Sequence, residues 1–256
     1  MTASEDPRHG GADFAAERTK GQRAFKGFCK NVVGFIFKGY IRLEAVHHER
    51  IPTTGPVIIA PSHRSNVDTP IIGAAMQRDS RFMAKDSIFK SPFWTRFLVG
   101  LGGFPVRRGS FDRKTLNYAL ACLGHGEMLV VYPEGARQEG PRIKPVFEGA
   151  VWLAARSGAP IVPAGIGGSR AVMGIGVKIP RPHKVVVCFG EPIVVGDPDK
   201  PGRVKRSRLE EVAAELRESL QVAFDDAQVR AGTPNRAWSP DEPGIDERLE
   251  PWTDDD

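Results

Sequence analysis

No run of about 18 consecutive apolar residues occurs in the chain, so no membrane-crossing helix is expected. The first residues carry Glu5, Asp6, Asp13 and Glu17 and no apolar segment, which argues against a secretory signal peptide. Cysteine is scarce. Cys29, Cys122 and Cys188 lack metal-ligand spacing and suit a reducing compartment, not a disulfide scaffold. A Gly-x-Ser-x-Gly elbow is missing, which speaks against a serine hydrolase. There is no Walker A loop, and Gly165-Ile-Gly167-Gly-Ser-Arg170 lacks the third glycine of a dinucleotide fingerprint. His47 and His48 with Asp68 form an incomplete ligand set, so no metal is expected. His125 and His183 sit among glycine, proline and charges and read as surface loop residues. Internal repeats are absent as well.

Charge is present in excess of one sign, +5 overall, and unevenly placed. From Gly232 to Asp256 two arginines face eight carboxylates, about −6, which leaves about +11 for the rest. Such a balance favours an anionic membrane surface, a phosphorylated ligand or nucleic acid. The lack of any nucleic-acid motif disfavours the last. Residues 1–24 are small, polar or charged and are expected to be disordered, and 231–256 form an acidic, proline-rich tail of solubilising type. The length suits one domain, placed at 42–230.

Residues 25–41 read as an amphipathic helix. Phe25, Phe28, Val32, Phe35, Ile36 and Tyr40 recur at helical spacing, and Val33, Phe37 and Ile41 widen the stripe. Lys26, Lys30, Lys38 and Arg42 share a second row. Aromatics beside lysines suit a helix lying in a membrane interface, with its basic row toward anionic headgroups. The plainer alternative is a core-packing helix with a solvated basic edge.

Beyond it strands and helices alternate. Strands are predicted at Arg42–Val46, Val57–Ala60, Phe82–Ala84, Gly103–Val106, Met128–Tyr132, Ile161–Gly165 and Val185–Phe189. Helices are predicted at Pro70–Arg78, Ile88–Leu98, Asp112–Leu123, Glu148–Arg156 and Arg206–Val229. The alternation predicts a single α/β domain with a largely parallel or mixed central sheet flanked by helices.

After the apolar run Val57–Ala60 comes Pro61-Ser-His63-Arg-Ser-Asn-Val-Asp68-Thr-Pro70. Thr69 and Pro70 read as N-cap and first position of a helix, so His63 and Asp68 share a loop at a strand's carboxyl end, where open α/β sheets bind ligands. Imidazole is a suitable base near neutral pH, and a carboxylate on its Nδ1 fixes the tautomer and frees Nε2. Equally, Asp68 could support the helix start and His63 could be a packed loop residue. Two more loops carry charge at strand ends: Arg107-Arg108, and Tyr132-Pro-Glu134-Gly135-Ala-Arg137. If the strands are parallel, these open on the edge that carries His63, and arginine forks there would match phosphate oxygens.

Ser62-His63…Asp68, Gly102…Arg108, Tyr132-Pro133-Glu134-Gly135-Ala136-Arg137 and Val162-Pro163 stand in order over roughly residues 40–195. Together they resemble the four blocks of the glycerolipid acyltransferase family, of the 1-acylglycerol-3-phosphate acyltransferase type. Ser62 replaces the usual Asn, Ala136 replaces Thr, and Glu148 stands where a Lys is common, with Lys144 expected to compensate.

The resemblance implies transfer of a fatty acyl group from acyl-CoA, a co-substrate, to the hydroxyl of lysophosphatidic acid, giving phosphatidic acid without a metal or cofactor. It gives His63 the role of general base, oriented by Asp68. It has Arg108, Glu134, Gly135 and Arg137 hold the acceptor, joined by Lys85. The expected site is a peripheral one on the cytoplasmic face of a membrane. Two other readings stay open: acylation of another lysophospholipid or a glycolipid, and a non-catalytic basic membrane-binding protein.

Overall fold

The computed structural model describes residues 19–85, 89, 91–106, 113–197, 202 and 204–235. Among them the apolar runs become one seven-stranded sheet: β1 (Glu44–Val46), β2 (Val57–Pro61), β3 (Ser80–Lys85), β4 (Gly103–Val106), β5 (Met128–Val130), β6 (Ile161–Gly167) and β7 (Val186–Phe189). Their spatial order is β1-β7-β6-β2-β5-β3-β4. The five strands from β6 to β4 are mutually parallel. β7 runs antiparallel to β6, and β1 follows β7, so the sheet is mixed. β2, β5 and β6 are buried along their whole length, as strands covered on both faces must be.

Alternate residues of these strands feed two cores. Ile58, Ala60, Leu129 and Ile161 pack with α4 (Arg113–Gly124), α5 (Gly149–Ser157) and the start of α7 (Arg206–Ala231). Val57, Ile59, Val130 and Val162 pack with α2 (Asp68–Ala75) and with Ile41. α7 presents Val212, Leu216, Leu220, Phe224 and Ala227 inward, and two glycines of β6 admit its backbone. A Cβ on Gly165 would lie 2.1 Å from the Ala223 carbonyl, and one on Gly167 2.1 Å from the Ala227 carbonyl.

The N-terminal helix α1 (Lys20–Tyr40) begins five residues earlier than the periodicity alone predicts. Thr19 and Gln22 form a reciprocal capping box: the Thr19 hydroxyl accepts from the Gln22 N–H at 3.2 Å, and the Gln22 side chain accepts from the Thr19 N–H at 2.9 Å. Phe25 sets its ring edge-on to Phe97 of α3 (Pro92–Gly100), 5.9 Å between centroids. The basic row is not uniformly solvated. Lys26 is buried, with its ammonium donating to the Ser80 carbonyl of β3, which corrects the expectation that it faces headgroups. The aromatic stripe, in contrast, is largely open: Phe28 is 68% and Phe35 82% exposed, with Ile36 and Tyr40 about half exposed.

α2 starts at Asp68, with Val67 at its N-cap, so Thr69 is not the cap and Pro70 is not the first residue. The Asp68 carboxylate turns back into the preceding loop and accepts from the N–H groups of Arg64 and Ser65. A short helix, α6 (Ser169–Met173), follows β6 and has no counterpart among the predicted elements. No described helix is long and apolar enough to cross a membrane. The expected disorder of 1–18 and 236–256, the helix starts at Ile88 and Asp112, and the expected site residue Arg108 lie outside the described residues.

Candidate active site

Because β2 to β6 are parallel, their carboxyl ends share one edge. The His63 loop leaves β2 there, the 132–137 loop leaves β5, and Lys85 closes β3. Ser62 fixes the first loop: its N–H donates to Ala164 O and its hydroxyl accepts from Ile166 N–H, both at 3.0 Å. β2 is thus stitched to β6 immediately before the candidate base.

His63 Nδ1 lies 2.9 Å from Asp68 Oδ2. A carboxylate oxygen only accepts, so Nδ1 carries the proton and Nε2 keeps a lone pair. The same Oδ2 accepts from the backbone N–H groups of Arg64 and Ser65, both at 2.7 Å. Asp68 is fully buried in the first turn of α2, where the helix dipole favours negative charge. Its Oδ1 is also buried and has no hydrogen-bond partner among the described residues.

The imidazole is braced on its face as well. It stacks on the Tyr132 ring, centroids 4.0 Å apart and 24° from parallel. The Tyr132 hydroxyl shares a 3.0 Å hydrogen bond with the Thr69 hydroxyl on α2. Burial, and then the Asp68 charge, push the Tyr132 phenol well above its ordinary value against the opposing Thr69 bond, so it stays neutral.

Glu134 follows Tyr132 by two residues, yet its side chain is wholly buried. Arg64 Nη1 donates to its Oε1 and Oε2 at 3.0 and 2.8 Å, and the Lys144 N–H donates to Oε1 at 3.1 Å. Both oxygens face protein donors and none of the carboxylate is open to a ligand, unlike the acceptor contact expected from the family pattern. Gly135 takes a left-handed φ of 72° after the turn closed by its N–H on Tyr132 O at 3.0 Å. That turn brings Arg137 back to the first loop, where its Nη1 donates to Asn66 Oδ1 at 2.7 Å. His63, Asp68, Glu134, Gly135 and Arg137 therefore meet at one edge. Arg64 and the Tyr132–Thr69 bridge join them unforeseen, although each lies inside a motif already singled out.

The arrangement can take a proton from a hydroxyl at Nε2, stabilise the resulting imidazolium through Asp68, and present a guanidinium to an anion. The family model described as Acyltransferase matches residues 42–167, which include the whole of this edge. A 1-acyl-sn-glycerol-3-phosphate acyltransferase of Bacillus subtilis is 26% identical over 171 residues, covering 66% of this chain and 83% of that protein. An uncharacterized protein of Mycobacterium tuberculosis is 27% identical over 205 residues, and there the chain spans 55% of the relative's length. The crystal structure of the 1-acyl-sn-glycerophosphate acyltransferase PlsC from Thermotoga maritima superposes with a TM-score of 0.62 at 23% identity, over 85% of this chain and 81% of that one, and shares its fold. With the motif order, the sheet and the matched model in agreement, residues 42–167 form a domain of the acyltransferase family, similar to the 1-acylglycerol-3-phosphate acyltransferases.

Proposed function

We propose that the protein acylates 1-acylglycerol-3-phosphate to phosphatidic acid in phospholipid biosynthesis, with acyl-CoA as the donor. The observation that carries this reading is the His63–Asp68 pair, 2.9 Å apart and aimed by a triply accepting Oδ2, on the edge that holds Arg137. His63 Nε2 removes the proton of the acceptor's free hydroxyl as the oxygen attacks the thioester carbonyl. The tetrahedral adduct collapses by breaking the carbon–sulfur bond. The thiolate leaves as coenzyme A and takes the proton back from the imidazolium. Oxygen replaces sulfur on the acyl carbon with no change in oxidation state, so the thioester supplies all the activation the reaction needs. Arg137, with Lys85 from the end of β3 and, by the family pattern, Arg108, takes the acceptor's phosphate, and Gly135 gives the turn that returns Arg137 to the site. Glu134 supports that turn from beneath.

The names of the Bacillus and Thermotoga proteins support the acceptor, and the open aromatic stripe of α1 supports a peripheral position on a membrane, where both acyl chains reside. The test is release of thiol from acyl-CoA and from acyl carrier protein, each with lysophosphatidic acid, lysophosphatidylcholine and a neutral monoacylglycerol. Fast release from acyl-CoA with lysophosphatidic acid alone is the expected result. Preference for the carrier protein overturns the donor. Preference for a non-phosphorylated acceptor overturns the phosphate assignment, and no release with any pair overturns the enzyme.

A further inference from the structure

Arg64 follows the base and is 3% exposed, an unusual place for a guanidinium. Its Nη1 donates to the His63 carbonyl at 2.9 Å as well as to both oxygens of Glu134, and its Nη2 donates to the Arg142 carbonyl at 2.9 Å. Its own N–H is one of the three donors on Asp68 Oδ2. The guanidinium carbon sits 4.9 Å from the centre of the Phe224 ring on α7, which closes the far side. Glu134 completes the arrangement, because its Oε2 also lies 3.4 Å from the His63 N–H.

The peptide groups on both sides of His63 are therefore gripped by one ion pair: the N–H by the carboxylate, the carbonyl by the guanidinium. The Gln138 N–H adds a second donor to that carbonyl at 2.8 Å. We infer that Arg64 and Glu134 are a positioning pair for the acyl transfer, a clamp that sets the backbone of His63 and so the alignment of its imidazole on Asp68. This rests on the acyl-transfer reading of the site. A buried pair of this kind is a weak source of net stability, and replacing both charges together is often neutral. Geometry is what it supplies. A lysine in place of Arg64 keeps the charge but is a single point donor and loses the fork that reaches three acceptors at once.

Two variants test the clamp: Arg64→Lys, and Arg64→Met combined with Glu134→Gln, which removes both charges and leaves one amide oxygen to accept from the Lys144 or the His63 N–H. Each is measured by thermal unfolding, by kcat and KM for lysophosphatidic acid, and by the low-field NMR resonance of the hydrogen-bonded His63 Nδ1 proton. The expected result is a kcat lower by about 10- to 100-fold, the scale of a small misplacement of reacting groups. KM should stay within about twofold, the thermal midpoint of the double variant should stay near wild type, and the Nδ1 resonance should be lost or broadened. Wild-type kcat in the folded double variant overturns the inference. So does a low kcat with the Nδ1 resonance intact, because the loss would then arise elsewhere. Failure of both variants to fold makes the pair a folding element and overturns the positioning role. A wild-type protein that releases no thiol overturns the reaction instead, and the Nδ1 resonance still reports on the clamp.

Discussion

The imidazole of His63 lies nearly flat on the ring of Tyr132, 4.0 Å between centroids, so the residue that opens the second loop is the floor on which the candidate base rests. The stack fixes the ring plane, while the Asp68 bond fixes its rotation within that plane. Tyr132→Phe keeps the stack and gives up the Thr69 bond. Its expected cost is about 1 kcal/mol of stability with little change in kcat. Tyr132→Leu removes the aromatic face and should lower kcat more than it raises KM. Equal kcat in the two variants, measured with steady-state kinetics, would sink the role of the stack.

Asp68→Asn should be the most damaging conservative change. An amide oxygen at Oδ2 still accepts the Arg64 and Ser65 N–H groups, but it no longer stabilises an imidazolium. If the amide nitrogen takes that place, it clashes with three donors. The corresponding change in a serine-protease triad lowers kcat about 10,000-fold, and a loss of at least about 100-fold is expected here. His63→Ala should abolish turnover while leaving the far-ultraviolet circular dichroism unchanged. Thiol release near the wild-type rate in either variant would remove the pair from the chemistry.

Gly165→Ala is expected to destabilise the fold. The added carbon would sit 2.1 Å from the Ala223 carbonyl and 2.3 Å from Phe224 N, so α7 has to lift off β6. Overpacking of this kind costs about 1–3 kcal/mol. A thermal midpoint within a degree of wild type would mean that the helix slides at no cost.

The Cys188 thiol is pushed up to about 12 from 9.0, first by burial and then by the Asp226 carboxylate. Above pH 9 the unfolded chain loses this proton while the native protein keeps it. The stabilising share of Cys188 is thus full below about pH 9 and is lost progressively up to about pH 12. Tyr132 acts with the same sign from its ordinary value upward. Denaturant midpoints measured from about pH 8 to 11 should fall with pH. Cys188→Ala should flatten that slope, and an unchanged slope would rule out the thiol as its source.

Binding to anionic vesicles should depend on the open stripe of α1. Phe28→Ser together with Phe35→Ser removes two of its most exposed aromatic rings and should reduce co-flotation several-fold. A deletion of residues 1–41 would also remove Lys26 and Ile41, which the core uses, so the double substitution is the cleaner probe. Unchanged flotation would make the stripe irrelevant to lipid binding.

Much of this architecture is legible because buried parallel strands leave little choice. Val57–Ala60 and Ile161–Gly165 are continuous apolar runs, and both become central strands. The helix that ends the domain is readable from Val212, Leu216 and Leu220, four residues apart. The errors have equally local causes. Periodicity places Lys26 on a basic row, but tertiary contact with β3 draws it inward by its long apolar stem. The start of α1 is written in Thr19-x-x-Gln22, a signal separate from the hydrophobic stripe. α6 spans five residues, too few for any periodicity to register. At the site, the His63–Asp68 contact is readable because its ends lie only five residues apart. The Arg64–Glu134 contact joins positions 70 residues apart and needs β2 beside β5, which no local pattern specifies.

The reversal of β7 and β1 has a further consequence for where α1 meets the sheet. Since β7 opposes β6, and β1 follows β7, Glu44 at the start of β1 aligns with Val186 and through it with Gly167 at the carboxyl end of β6. The chain therefore comes off α1 at the same rim as His63. Tyr40 is tied there by its hydroxyl to Pro180 O at 2.9 Å. Had those two strands run with the others, α1 would have joined the sheet at the opposite end of the three-residue β1, about 10 Å away. A helix that only needed to hold the protein on a surface could sit at either rim. This one ends at the rim that carries His63, so on the proposed reading the strand reversal sets the membrane-facing helix and the candidate base on one side of the sheet.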